Sequence, residues 1–416
     1  MTTNSGFKNF FPLFLTIFLD IVGIGIAMPT LAIVLLDPTQ GILAPDYGFQ
    51  ARSILYGFML AAYPIAQFFG SPILGALSDR YGRKRLLQLS IFGTAIGYVM
   101  FAIGIYTNSI LILFLSRLLD GFTGGNISIA QSAIADQSTQ ENKTRNFGLI
   151  GMAFGLGFIL GPYLGGILSD PDVLPWFNLA TPYWFAAGVS IVNMLLLWFF
   201  FHETLKTKVH TPVTLLTGIR NLKHAFALAN LRTVFVVVFF FTLGFTFFVQ
   251  FFQVFLIDKF AFDQGDIGNV FGFIGLCSAL SQGLIVRPVS RKFAPNQVLK
   301  VSLIGQALAL PFLLMVTEPA YLYAILPFIA ICQGLTFPNI VAMVSNMSGA
   351  ESQGEGLGLM QSVQALAQVV PPVIAGFVAA VHPNLPIVFG SACLFAAWLI
   401  FVTLFRVRSQ DVFHEV

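Results

Sequence analysis

Long apolar runs separated by short polar interruptions dominate the chain, and their length decides what they are. A helical crossing of a bilayer needs about 20 predominantly apolar residues. The 416-residue sequence supplies about twelve such runs: Phe10–Leu36, Ser53–Leu77, Leu86–Tyr106, Ser109–Ala135, Asn146–Leu168, Thr181–Phe201, Thr233–Ile257, Ile267–Arg287, Gln297–Val316, Ala320–Asn346, Gly354–Ala380 and Leu385–Phe405. The predicted fold class is an all-α polytopic membrane protein. His202 to Arg232 is the longest polar stretch and divides the chain into a six-helix half over 1–201, a linker over 202–232 and a second six-helix half over 233–416. Leu215 to Leu231 in the linker mixes apolar residues with Arg220, Lys223 and His224, which suits a helix along the membrane surface or a flexible connection.

Composition agrees with the pattern. With 56% hydrophobic and only 9% charged residues, the chain lies far outside the range of soluble domains. Placing both termini in the cytoplasm puts nearly all loop cations inside, including Lys143, Arg145, Lys206, Lys208, Arg291, Lys292, Arg406 and Arg408; only Arg52 and Lys259 fall outside. A net charge of +3 then reflects scattered loop cations, so no nucleic-acid partner is expected. Cys277, Cys332 and Cys393 sit singly in apolar runs, without metal spacing, and read as small hydrophobes. No cofactor or metal is expected. The run behind Lys8 continues past Asp20 to Leu36, too long for a signal-peptide core, and is the first crossing.

The turn between the second and third runs reads Gly75-Ala76-Leu77-Ser78-Asp79-Arg80-Tyr81-Gly82-Arg83-Lys84-Arg85. Its four cations mark a cytoplasmic face. Gly75 allows two helices to approach closely, Gly82 permits a positive φ, and Asp79 can pair with Arg83 or sit at a neighbouring helix N-terminus. A basic stop-transfer loop explains the cations but not Asp79 and the glycines. The string resembles the signature loop of the major facilitator superfamily of transporters. Gly75, Asp79, Arg83 and Lys84 also align with Gly283, Arg287, Arg291 and Lys292, and Asp136 and Gly148 with Asn346 and Gly358, at an offset of roughly 210 residues. The resemblance implies two pseudo-symmetric six-helix halves that enclose a substrate site and rock to alternate its access. It also places Asp136 beside Arg83, so that a charge cluster (Gly75, Asp79, Arg80, Gly82, Arg83, Lys84, Asp136, Arg145) is expected to latch one access state.

Three further constellations carry chemistry. Asp20 lies near the centre of the first run, where a carboxylate is costly unless paired or hydrated, and such a residue is functional by default; a structural acid paired to an arginine is the alternative. Arg117 and Asp120, with Gly121, share a face of the fourth run. They resemble the superfamily's R-x-x-x-G motif, associated with proton coupling, with Asp120 at a position usually neutral, so that Arg117 is neutralised locally. Gly157, Gly161, Pro162, Gly165 and Gly166 in the fifth run offer close helix contact and a bend; the string resembles the motif that distinguishes antiporters from uptake carriers. Ala135-Asp136 and Arg145-Asn146-Phe147-Gly148 are similar to the tetracycline-efflux branch, yet no His or acid lies between Ile267 and Val316, which speaks against a metal–tetracycline substrate.

Neutral polar groups are the remaining cavity candidates: Tyr63, Gln67, Asn126, Gln250, Gln333, Gln361 and Gln364, beside Asp20 and Arg117. The expected function is a proton-coupled exporter of a small organic molecule, with Asp20 binding the proton while Arg117 and Asp120 set its affinity. The alternative is a carrier for an endogenous polar metabolite, nutrient or siderophore in either direction, with Arg117 and Arg287 as anion partners. A membrane enzyme lacks motif support: His202-Glu203 has no second His at metal spacing. The partners expected are a small molecule, protons and the lipid bilayer, for a monomer in the inner membrane.

Overall fold

A single glycine turns the chain between the second and third crossings: Gly82, at φ 107°, ends one helix at Tyr81 and precedes the next at Arg83. Only glycine adopts that conformation without strain. The computed structural model describes residues 3–44, 46–137, 153, 156–157, 160–205, 225–228, 231–348 and 353–405, and among these every regular element is helical. Eleven of the described helices are long and apolar enough to cross a membrane. The fifth expected crossing is described only in part, being helical over 160–169. Arg145 and most of the linker, including the expected surface segment up to His224, lie outside the described residues.

The unbroken crossings are Thr3–Leu36, Phe49–Tyr81, Arg83–Tyr106, Thr181–Phe200, Arg232–Phe260, Pro295–Leu314, Leu322–Ser348, Gln353–Val381 and Leu385–Leu404. Two others depart from the continuous helices expected. The fourth runs as Ile110–Thr123 and Asn126–Asp136, interrupted at Gly124 and Gly125. The second crossing crowds this break: a Cβ on Gly125 would lie 2.7 Å from the Ser71 amide, and one on Gly121 would strike the Tyr63 carbonyl. The eighth passes from Gln264–Leu280 through a π-helical turn, Ser281–Val286, to Arg287–Lys292. Its counterpart around Gly75 is plain α-helix.

Packing groups the residues into two compact units that cut across the two sequence halves. One holds Met1–Gly218 together with Val249–Ala279 and Val369–Pro386; the other holds Ile219–Phe248, Leu280–Gln368 and Ile387–Val416. In the first unit, fully buried Leu13, Ile17, Leu87, Ile129, Ala130 and Phe201 form part of an apolar core. Tyr56 donates to the Gln250 carbonyl at 2.9 Å, and Gly57 lies against the backbone at Pro372 and Gly376. In the second unit Gly244 meets Gly390 backbone to backbone, and Thr336 donates to Ser302 at 2.8 Å.

Arg52 corrects a sequence expectation. It is not a loop cation: the second helix starts earlier than Ser53, at Phe49, and Arg52 is 2% exposed. Its Nε donates to the Tyr47 carbonyl (2.8 Å), Nη1 to Leu35 (3.3 Å) and Asp37 (3.2 Å), and Nη2 to Leu43 (3.2 Å) and Ala44 (2.8 Å). These carbonyls include the end of the first helix, where a cation is also favoured by the helix dipole. Burial would raise the neighbouring Asp37 carboxyl, but donors from Thr39 and Gln40 and the Arg52 charge outweigh it and hold it below its ordinary value. Lys259, the other exception to the charge rule, lies over the rings of Phe255 (5.3 Å) and Phe260 (5.8 Å).

Candidate functional site

Around Gly82 three members of the expected charge cluster, Asp79, Arg83 and Asp136, come together. Arg83, largely buried, pairs with Asp79 at 2.6 Å and with Asp136 at 3.2 Å, and donates to the Ser78 hydroxyl at 2.6 Å. Asp79 therefore takes the first of its two expected positions, one helical turn from Arg83. The acid at the helix N-terminus is Glu203, which accepts the Arg83 and Lys84 amides at 2.9 and 3.2 Å. Carboxylates are favoured there by the unpaired N–H groups and the dipole. Glu203 was not among the sequence candidates; its signal is that it is the first charged residue after the sixth apolar run. Thr204 donates to Asp136 at 3.2 Å, and Lys84 to the Trp198 carbonyl at 2.8 Å, so the start of the linker is fastened to the turn. Arg80 lies outside this network, over the Tyr81 ring at 5.1 Å. Gly75 is not the close approach expected of it: an added Cβ would meet only the Ser128 hydroxyl, at 3.5 Å. The tight contact lies further up, where Gly70 meets the Phe122 backbone.

Between the first, third, fourth and sixth crossings lies a second cluster. Arg117 (3% exposed) and Asp120 (2% exposed) are ion-paired at 3.2 Å, as their spacing predicted. The guanidinium carbon lies 4.7 Å from the Phe101 ring, 5.9 Å from Tyr183 and 6.0 Å from Tyr98. Phe101 and Tyr183 stack at 4.0 Å, and Tyr183 shares a 2.7 Å hydrogen bond with Thr30. Room for Tyr98 comes from Gly23, where any Cβ would collide with its hydroxyl. Despite the pairing, Arg117 Nε and Nη2 and Asp120 Oδ2 make no aligned hydrogen bond among the described residues.

Asp20 is buried at the edge of this cluster, close enough to Asp120 for their charges to repel. The Asn126 side chain lies beside it, and Asp20 Oδ2 and both polar atoms of Asn126 are buried without an aligned hydrogen bond among the described residues. Buried polar groups are ordinarily bonded, so a group of orphans in one place points to something that binds there. Asp120 pairs with the one guanidinium and Asp20 lies close to Asp120, so with all three ionised the group carries a charge of −1.

The other candidates divide. Gln67 is spent on the Gly124 carbonyl freed by the helix break (3.1 Å) and reaches the Tyr63 hydroxyl at 3.4 Å. Gln250 keeps a buried side-chain oxygen without a hydrogen bond among the described residues. Gln333 accepts from Gln306 at 3.0 Å, and Gln364 is buried; the side chain of Gln361 lies outside the described residues. The glycines of the fifth crossing form a seam. A Cβ on Gly161 would lie 2.7 Å from the Gly25 Cα, one on Gly165 2.6 Å from the Ile26 carbonyl, and one on Gly157 2.7 Å from Ile21. Pro162 packs on Gly25, and Gly166 on Gly268.

This arrangement of helices and clusters belongs to a known class of carriers. The model of the Major Facilitator Superfamily matches residues 13–370 and 234–414, and the chain is a member of that family. It is 30% identical over 371 residues to the class E tetracycline resistance protein of Escherichia coli, covering 87% of this chain and 85% of that protein. It is 28% identical over 351 residues to major facilitator superfamily domain-containing protein 10 of Mus musculus, covering 79% and 74%. Among solved structures, the human organic anion transporter MFSD10 (TETRAN) superposes with a TM-score of 0.73 at 22% identity, over 95% of this chain and 99% of that one. A D-xylose–proton symporter superposes at 0.71 with 15% identity, over 95% and 97%. The protein is therefore a multi-pass membrane transporter of the major facilitator fold.

Proposed function

We propose that this transporter exports a small organic molecule in exchange for protons, by alternating access, with both termini in the cytoplasm and as a monomer of the inner membrane. The observation that carries the reading is Asp20, a buried carboxylate within a transmembrane helix whose Oδ2 has no aligned hydrogen bond among the described residues. The nearby arginine is already engaged by Asp120, so the structural alternative, an acid locked to Arg117, loses its partner. Intramembrane acids without a fixed counter-charge mark proton paths. Arg117 and Asp120 set the field at Asp20, while Asp79, Arg83 and Asp136 latch one access state. Exchange rather than co-transport is supported by the glycine seam packed on Ile21, Gly25 and Ile26 of the helix that carries Asp20, and by relatives named for tetracycline resistance.

Proton counting tests this without a known substrate. Purified protein in weak buffer with a pH dye is expected to titrate one more proton per molecule than Asp20→Asn between about pH 5 and 9. An unchanged count, or a mutant that still couples transport to a pH gradient in proteoliposomes, overturns the role of Asp20. Inward substrate movement driven by an inward proton gradient overturns export.

A further inference from the structure

Asp120 stands one helical turn from Arg117, and among the described residues no other cation lies in the buried cluster. Without it, the guanidinium would present a charge flanked by Phe101, Tyr98 and Tyr183, a setting suited to an aromatic carboxylate, which can stack and pair at once. With it, the charge is taken at 3.2 Å, and an entering carboxylate meets Asp120 and Asp20 as like charges. Specificity is often built by such a repulsive element rather than by a better attraction. Nη2 and Nε of Arg117 remain without aligned hydrogen bonds, so the donors an anion would use are present but shielded.

We infer that Asp120 is the charge-selectivity residue of this carrier: it bars organic anions from Arg117 and restricts the site to cationic or neutral substrates. The inference rests on the transporter reading of this cluster. It does not depend on proton coupling or direction, because it is read by binding alone.

The probe is salicylate, and the readout its apparent Kd from thermal stabilisation of the purified full-length protein, since a ligand of the folded state raises apparent stability. Benzyl alcohol serves as the uncharged control. Asp120→Asn and Asp20→Asn each remove one negative charge, but only the first frees Arg117. Asp120→Asn is expected to bind salicylate about tenfold tighter than the wild type, or better, with benzyl alcohol unchanged. Asp20→Asn, which removes repulsion without freeing Arg117, is expected to gain much less than Asp120→Asn, and the Arg117→Gln/Asp120→Asn double variant to lose the gain. An Asp120→Asn protein recovered folded only with salicylate present counts as the gain; one recovered under neither condition is replaced by Asp120→Ser and read the same way. The inference is overturned if neither Asp120 variant gains, if Asp20→Asn gains equally, or if the wild type already binds salicylate through Arg117. Failure of the proton count with success here would remove the coupling proposal and leave charge selection standing.

Discussion

Arg52 and Arg117 are both buried cations in the first packing unit, and they are buried in opposite ways. Arg52 gives five hydrogen bonds to backbone carbonyls drawn from a single stretch of chain. Arg117 rests on aromatic faces and one acid, with two of its nitrogens lacking aligned bonds. The first is satisfied by atoms that no substitution can remove. The second is held by side chains and is left with unused donors. A fully satisfied charge rigidifies, whereas a partly satisfied one responds to whatever next enters its surroundings.

The contrast is sharpest in substitutions that remove each charge. Arg52→Leu strands several carbonyls and is expected to cost roughly 3 kcal/mol or more, since hydrogen bonds to charged groups contribute about 1.5–3 kcal/mol each. Thermal unfolding of the purified protein checks this, and transport per folded molecule should stay near wild type. A stability loss under about 1 kcal/mol would break the comparison. Arg117→Gln/Asp120→Asn removes a buried pair together, which often leaves stability nearly unchanged. Its expected stability change is within about 1 kcal/mol, while proton-coupled transport is lost. Either single change should cost more than the double, because it leaves one buried charge alone.

Smaller effects extend the comparison to the other polar sites. Glu203→Gln weakens the cap on the third helix and should cost about 1 kcal/mol, seen as faster amide hydrogen exchange at Arg83 and Lys84. Equal exchange rates would leave the linker start without a fastening role. The smallest effect is at Asp37. Its carboxyl is held below its ordinary value, so its contribution is fully present above the unfolded value of about 3.9 and disappears as pH falls through the lower folded one. Asp37→Asn should flatten the acid limb of the stability–pH curve without changing stability at pH 7 beyond what the lost Thr39 and Gln40 bonds explain.

The described crossings and the pairing of Arg83 with Asp79 were legible because they rest on run length and on charges that stand out against an apolar background, whereas Asp136 beside Arg83 came only from the family resemblance. The pairing of Arg117 with Asp120 followed from helical spacing. The rings around Arg117 did not: Tyr98, Phe101 and Tyr183 are ordinary residues for a buried membrane helix, and only tertiary packing collects them from the third and sixth crossings. Glycine spacing announced the seam of the fifth crossing but not its partner, Gly25. At Gly75 the same argument failed, because a glycine records the chance of close approach and not its occurrence. Spacing likewise could not separate Gln67 and Gln333, engaged by Gly124 and Gln306, from Gln250, whose side-chain oxygen has no hydrogen bond among the described residues.

The Arg52 cage has a consequence for the order in which the protein matures. Every carbonyl that receives the guanidinium, from Leu35 to Tyr47, is 5 to 17 residues earlier in the chain. Because synthesis runs from the N-terminus, the acceptors have all left the ribosome before the arginine does. The charge can be neutralised at once, by its own upstream neighbours, without waiting for any later helix. The first helical hairpin thus carries the means to finish its own connection while the later crossings are still to be made.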